Sequence, residues 1–237
     1  MERKFKFAEG EYYHIYNRGN NKVNIFLDNK DKERFLKLLL VCNSRKPVVL
    51  KLLQGLTLEK FFVEFNTDKE DRIVDIGAYC LMDNHFHLLV KEKTNNGISL
   101  FMKKLLTAYS MYFNKKSERS GRLFERAFMA RHADNDNYLK YLFSYIHLNP
   151  IKYIDPTWKE NGIKDKTVAK EYLSNYRYSS YLDYSGNGRL ETNILNKISF
   201  PRYFLDKAAF DDFIDDWITF QGLTLESYPH KLPTVVW

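Results

Sequence analysis

The chain has 237 residues, 44% of them hydrophobic, enough for one large domain, or a domain with a sizeable extension, around a real core. A formal net charge of +7 points to an anionic partner, most simply nucleic acid. The only cysteines, Cys42 and Cys80, lie in apolar surroundings; this excludes a disulfide framework or zinc spacing and fits a reducing cytosol, and no apolar stretch is long enough to span a bilayer.

Met1–Phe7 carries charges with no apolar run behind them, so it does not read as a signal peptide. Glu11–Asn17 alternates and is rich in aromatics, which predicts a first strand. Arg18–Lys22 follows as a turn. Its Gly19 amide and the charges of Arg18 and Lys22 suit a phosphate, although an ordinary loop has the same composition. Asp28 or Asn29 caps a helix to about Asn43, with Phe35, Leu36, Leu38, Leu39 and Val41 on its apolar face. Residues 47–71 read as an insertion: short helix or strand pieces at Val48–Leu56 and Leu58–Phe65, then a polar hairpin tip at Asn66–Asp71. Arg72–Met82 is a strand, Asp83-Asn84 a tight turn, and the chain returns antiparallel through Val90.

Asn96-Gly97 closes that hairpin and opens a second helix, about Ser99–Lys115, lined by Leu100, Phe101, Leu105, Ala108, Tyr109, Tyr112 and Phe113. Ser117–Arg122 is a basic loop and Leu123–Arg131 a further strand. Arg122, Arg126 and Arg131 are candidate phosphate contacts; each equally suits a solvated charge or an ion pair. Asp134 or Asn135 caps a third helix that runs to Asn149 and is stopped by Pro150. Beyond it, Asp155–Lys170 is polar and loop-like with Trp158 as an anchor, Tyr176–Tyr181 is a dense aromatic and hydroxyl cluster, and Phe210–Phe220 is an acidic amphipathic helix. The order strand, helix, strand, strand, helix, strand, helix predicts an α+β fold: a ferredoxin-like split βαβ core with a central antiparallel sheet and flanking helices over residues 1–152, and a mostly helical extension over 153–237 packed on that core.

The stretch around which this plan turns is Met82–Val90. Side chains alternate across a strand, so His85 and His87 share one face while Phe86, Leu88 and Val90 point to the other. Two imidazoles on one face can bind a divalent metal or hold a phosphate, and they can equally be ordinary strand histidines. The third helix adds Tyr145 and Asn149, four apart and stacked one turn above the other. Of the competing tyrosines, Tyr109 and Tyr112 fall on an apolar face, and Tyr138 and Tyr141 have no carboxamide four residues on. Among the remaining histidines, His14 adjoins the candidate phosphate turn, His132 precedes the third helix, His147 lies around the helix from Tyr145, and His230 has no evident partner.

These residues resemble the single-tyrosine HUH transposases, in particular the REP-associated tyrosine transposase group. His85-Phe86-His87 fits the His, bulky hydrophobe, His motif, and Met82-Asp83-Asn84 is similar to its lead-in. Tyr13–Lys22 resembles the family's N-terminal strand and turn, Gly121–Arg126 its strand before the last core helix, and Tyr145–Lys152 the helix that carries the nucleophile. Tyr176–Tyr181 is similar to a motif that follows. The likeness spans about residues 11 to 184 in order; the final stretch has no assignable counterpart. It implies metal-dependent cleavage and rejoining of single-stranded DNA near hairpins, with Tyr145 as nucleophile, His85, His87 and Asn149 as ligands of Mg²⁺ or Mn²⁺, and Arg18, Lys22, Arg122, Arg126, Arg131 and Lys152 facing DNA. It further implies a cytoplasmic, nucleoid-associated protein, with monomer and homodimer both compatible. A metal would neutralise the charge that makes a phosphodiester resist attack, and a covalent phosphotyrosine would conserve the bond for rejoining. Two other readings stand beside this one: a non-catalytic module for structured DNA or RNA, and an HUH nuclease of the replication-initiator or relaxase kind.

Overall fold

The computed structural model describes residues 6–53, 55–65 and 69–219. Its strands are β1 (Tyr12–Arg18), β2 (Val74–Met82), β3 (His85–Glu92) and β4 (Met129–His132). Helices α1 (Asn29–Val41) and α2 (Leu58–Glu64) separate β1 from β2, α3 (Gly97–Lys116) separates β3 from β4, and α4 (Asp136–Leu148) follows. The strands form one sheet in the order β2-β3-β1-β4, every pair antiparallel. With its βαββαβ chain order this is the ferredoxin-like arrangement that the element order predicts.

Both faces of the sheet are covered, which is why β2 is buried along its whole length. On one face Phe86, Leu88 and Val90 pack with Phe35 of α1 and Phe101, Leu105 and Tyr109 of α3. On the other, Ala78, Cys80, Met82 and Leu89 meet Leu142, Phe143 and Ile146 of α4. The helix starts are set by side chains. Asp28 accepts from the Asp31 amide and Asn135 from the Tyr138 amide, at 3.0 and 2.8 Å. At α3 the cap comes from the preceding strand: buried Glu92 accepts from the amides of Gly97 and Ile98 at 3.0 and 2.7 Å. Gly97 is required there, because a Cβ would lie 2.2 Å from the carbonyl oxygen of Ile73.

Three predicted elements differ. The strand expected over Leu123–Arg131 pairs with β1 only over Met129–His132. The Asn17 side chain donates to the carbonyls of Arg126 and Ala127 at 3.0 and 3.1 Å, and that side chain-to-backbone bonding takes the preceding segment out of the ladder. In the insertion the helical alternative holds for the first pieces, with a 3₁₀ turn at Leu50–Leu53 and α2 capped by Thr57, and the difference lies in the expected hairpin tip. Of its hairpin tip, residues 66–68 lie outside the described residues and Lys69–Asp71 form a 3₁₀ turn. The polar stretch Asp155–Lys170 holds α5 (Trp158–Asn161) and the start of α6 (Lys166–Asn175). Residues 1–5, Phe220 and His230 also lie outside the described residues.

The chain after residue 152 is tied to the core in two places. Along the outer edge of β2, the Leu81 amide donates to Tyr178 O and the Ser180 amide to Tyr79 O, each at 2.9 Å. Then α7 (Tyr181–Tyr184) and α8 (Lys207–Thr219), with α5 and α6, bury Trp158, Leu173, Phe210 and Ile214 against Leu148 and Ile151 at the end of α4. Among the described residues no helix is long and apolar enough to cross a membrane.

The β2 edge is held by a charged pair. The Asp183 side chain is fully buried and bonds Arg189 at 2.6 Å; Arg189 also donates to the Tyr79 hydroxyl at 2.8 Å and to Ser179 O at 2.6 Å. Arg189→Met leaves that carboxylate without its countercharge and should cost about 3–5 kcal/mol in urea unfolding. The double variant Arg189→Met, Asp183→Leu should recover most of the loss. A cost near zero for the single variant would show that the pair does not hold the extension.

Candidate active site

The α4 face of β3 carries His85 and His87, as strand alternation predicts. The β1–β3 register sets Tyr16 opposite His87 and His14 opposite Leu89, so His14 and Tyr16 share this face. The ring of His14 lies 5.1 Å from that of His87 and 5.8 Å from that of Tyr145. Tyr145 presents its ring edge-on to His87 at 5.4 Å, and it is 7% exposed. Tyr138, Tyr141 and Tyr145 run in a ladder along α4, with ring separations of 6.1 and 5.6 Å. Tyr145 is the member that reaches the histidines.

The imidazoles are oriented from behind. Asn84 donates its amide to Lys22 O at 3.3 Å, so its Oδ1 accepts at 2.6 Å from His85 Nδ1–H. The lone pair of His85 is therefore on Nε2. His87 Nδ1 meets His14 Nε2 at 2.9 Å. With the proton on His87 Nδ1, His14 is the acceptor and the lone pair of His87 is also on Nε2. Orientation of one ring nitrogen through the other is how ligating histidines are held in place.

Asn149 follows Tyr145 by one turn. It keeps helical angles (φ −53°, ψ −37°) although Pro150 follows. A residue before proline disfavours that region. Its amide donates to Tyr145 O at 3.1 Å and holds it in register. Its Oδ1 stands close enough to affect His85, yet it is buried and makes no hydrogen bond of ordinary geometry among the described residues. An amide oxygen with spare acceptor capacity beside two neutral imidazoles is a mixed set that Mg²⁺ or Mn²⁺ accepts. Among the described residues, no group of three or more His, Cys, Asp or Glu is placed to hold a metal ion, so the amide would be the third donor.

The charge around the site is positive. Burial, then the cations Lys159, Lys152 and Arg18, push His85 down to about 3. Burial, Arg131 and Lys159 push His14 down to about 3 as well, and His87 falls well below its ordinary value through burial and its histidine neighbours. The rings are neutral at neutral pH, with lone pairs available, in a setting that favours an anion.

The predicted site residues are thus brought together in part. Tyr145, Asn149, His85 and His87 converge, with Arg18, Lys152 and Arg131 close by. Arg18 is held by Glu125 at 3.0 Å. Lys22 is exposed. The Gly19 amide expected to face a phosphate donates to Asn84 O at 2.9 Å instead, because the turn closes on the β2–β3 hairpin. Arg122 and Arg126 lie on the α3 side, lining a cleft of about 510 Å³ with Met111, Asn114 and Phe124. His132 pairs with Glu11 at 2.7 Å, and buried His147 bonds the Ser180 hydroxyl at 2.7 Å in a structural role. Of two further site residues, the sequence leaves the placement of one open and gives no sign of the other. His14 shares a face with Tyr16 by alternation, but only pairing with β3 shows which face. Lys159 donates to Tyr145 Oη at 3.0 Å from a stretch with no local signal.

A family model described as "Transposase IS200 like" matches residues 9–149. No curated protein matches the chain. Among solved structures, that of a REP-associated tyrosine transposase bound to a REP hairpin is similar at 13% identity and a TM-score of 0.46, over 81% of this chain and 90% of that one.

The histidine environment has a pH signature. His14, His85 and His147 are each held neutral to about 3 in the fold, whereas an unfolded chain protonates them near 6.5. The unfolded state then binds more protons below about pH 6.5, so their contribution to stability is intact above that pH and lost as pH falls. Metal-free protein should lose up to about 1.4 kcal/mol per pH unit per histidine between pH 6.5 and 5, measured by chemical unfolding. Assigned ring NMR shifts of His14, His85 or His147 that titrate near pH 6.5 in the folded protein would contradict this.

Proposed function

The chain belongs to the IS200-like transposase family, and on that premise we propose that it cuts and rejoins single-stranded, hairpin-bearing DNA through a covalent bond to Tyr145. One observation carries the reading: the Tyr145 ring stands edge-on to the neutral imidazoles of His87 and His14, on the face that also carries His85, and the charges that weigh most on His85 are the cations Lys159, Lys152 and Arg18. Acid–base hydrolysis calls for a group that titrates near neutrality, and these histidines do not. Attack on a phosphodiester calls for a positioned nucleophile and positive charge, the roles this reading gives to Tyr145 and to the cations around it.

In the proposed reaction Tyr145 Oη forms a bond to phosphorus as the bond to the 3′ oxygen breaks. The protein keeps the 5′ phosphate, and the freed 3′ hydroxyl can attack the same phosphorus to reseal. Arg18, Lys152 and Arg131 are assigned to the phosphates flanking the cut, Lys22 to the DNA leaving the site, and Arg122 and Arg126 to a more distant part of the hairpin. His85, His87 and Asn149 would hold a divalent metal, Mg²⁺ or Mn²⁺, which when bound neutralises charge on the scissile phosphate. Asn84 and His14 fix the ring nitrogens that would face it.

The test uses pools of labelled, hairpin-containing single-stranded DNA with Mn²⁺ or with EDTA, and scores adducts that resist denaturation. The wild-type protein should form an adduct in Mn²⁺ only, Tyr145→Phe none, and Asn149→Ala about 10–100-fold less, the scale on which a mispositioned metal shell costs activity. An adduct that persists in Tyr145→Phe would move the nucleophile to Tyr138 or Tyr141. Tight, metal-indifferent binding without any adduct would make the protein a binding module.

A further inference from the structure

Lys159 lies outside the region matched by the family model, yet it touches the phenolic oxygen of Tyr145. Its Nζ donates to Oη at 3.0 Å and lies 4.3 Å from the ring centroid, so the ammonium caps the hydroxyl end of the ring. The position is enforced by the fold. Trp158, next in the chain, is 2% exposed and set in the cluster formed by Leu148, Ile151 and Phe210. The turn that leads into α5 is closed by the Asp155 amide on Ile151 O at 2.8 Å and the Trp158 amide on Asp155 O at 3.2 Å. Among the described residues no carboxylate pairs with Lys159. Its charge is also felt at His14, His85, His87 and Lys152, which places it at the centre of the site.

We propose that Lys159 is a catalytic residue that carries the charge on Tyr145 Oη in both directions of the reaction; this rests on Tyr145 being the nucleophile. In cleavage, Oη gives its proton to water, bonds to phosphorus and displaces the 3′ oxygen, which takes a proton from water. In resealing, the 3′ hydroxyl loses its proton to water and attacks phosphorus; the Oη–P bond breaks and its electron pair returns to Oη, which regains a proton from water. In each direction negative charge passes between Oη and the 3′ oxygen, and Lys159 donates a charge-assisted hydrogen bond at the Oη end. An ammonium preset on that oxygen lowers the barrier without reorganising water. A lysine that merely contacts DNA would act differently: it would weaken binding and lower the salt slope by about 1, and leave the rate on saturating DNA alone.

The experiment is single-turnover cleavage and resealing on saturating hairpin DNA with Mn²⁺, with the adduct mapped to its tyrosine. Lys159→Met keeps an apolar stem against Trp158. It should slow both steps about 10²-fold, as removal of one electrostatic donor does, while the salt slope of binding is unchanged. Lys159→Cys should be equally slow, and alkylation with 2-bromoethylamine, which rebuilds an ammonium at nearly the lysine length, should restore most of the rate. Cys42 and Cys80 are buried, so the introduced thiol is the one that reacts. Rescue within one variant separates a catalytic role from a folding defect. Wild-type rates in Lys159→Met with a Tyr145 adduct would overturn the proposal and leave the nucleophile assignment standing, as would a lowered salt slope with unchanged rates. Absence of a Tyr145 adduct in the wild-type protein would overturn both.

Discussion

The register between β1 and β3 is the constraint on which the site depends. Tyr16 opposite His87 and Arg18 opposite His85 bring His14 behind His87 and an arginine beside His85. A slip of one residue would turn His14 and Tyr16 into the α1–α3 core and bring Tyr13 and Ile15 to the site. The core forbids it. Phe86, Leu88 and Val90 lock with Phe35, Phe101 and Tyr109, and Tyr13 and Ile15 belong to the same apolar cluster. The apolar half of each strand therefore enforces the position of the polar half. The chemistry sits on one face because the other is fully committed to packing.

That face works against stability as a matter of design. Three histidines, a tyrosine and an asparagine are buried where apolar side chains would pack better, and cations stand around them. Burial and positive charge push the imidazoles the same way, toward the neutral form. Both effects that make the rings poor bases thus keep their lone pairs open. Lys159, which has no carboxylate partner among the described residues, is a charge that an incoming phosphodiester would neutralise.

Much of this was legible in the sequence wherever a local period carries the information. Alternation put His85 and His87 on one face, and the four-residue spacing put Asn149 over Tyr145; both describe a single element, and both hold in the fold. The βαββαβ order followed from apolar periodicity and the Asp28, Asn135 and Asn96-Gly97 boundaries. What could not be read depends on contacts between elements. His14 needed the strand pairing. The shortened β4 needed the bond from the Asn17 side chain to carbonyls more than a hundred residues away in sequence. The helices of the polar stretch α5–α6 are held by so few apolar residues, Trp158, Ala169 and Leu173, that no period stands out.

Lys159 is the sharpest case, because its place depends on the chain reversing direction. Helix α4 ends at Leu148, a 3₁₀ turn follows over Asn149–Tyr153, and by Lys159 the chain has come back to touch Tyr145 of the helix it left. Trp158 then drops into a cluster shared by the end of α4, α6 and α8. Residues that follow the family-matched region thus share a core with the helix that carries Tyr145. A cavity opened in that cluster, at Leu173 or Phe210, would not touch the site directly. It would loosen the anchor that aims Lys159, while β3 and its histidines stayed pinned by the opposite face of the sheet. The tyrosine and its cation are therefore coupled to the extension, and the imidazoles are coupled to the sheet.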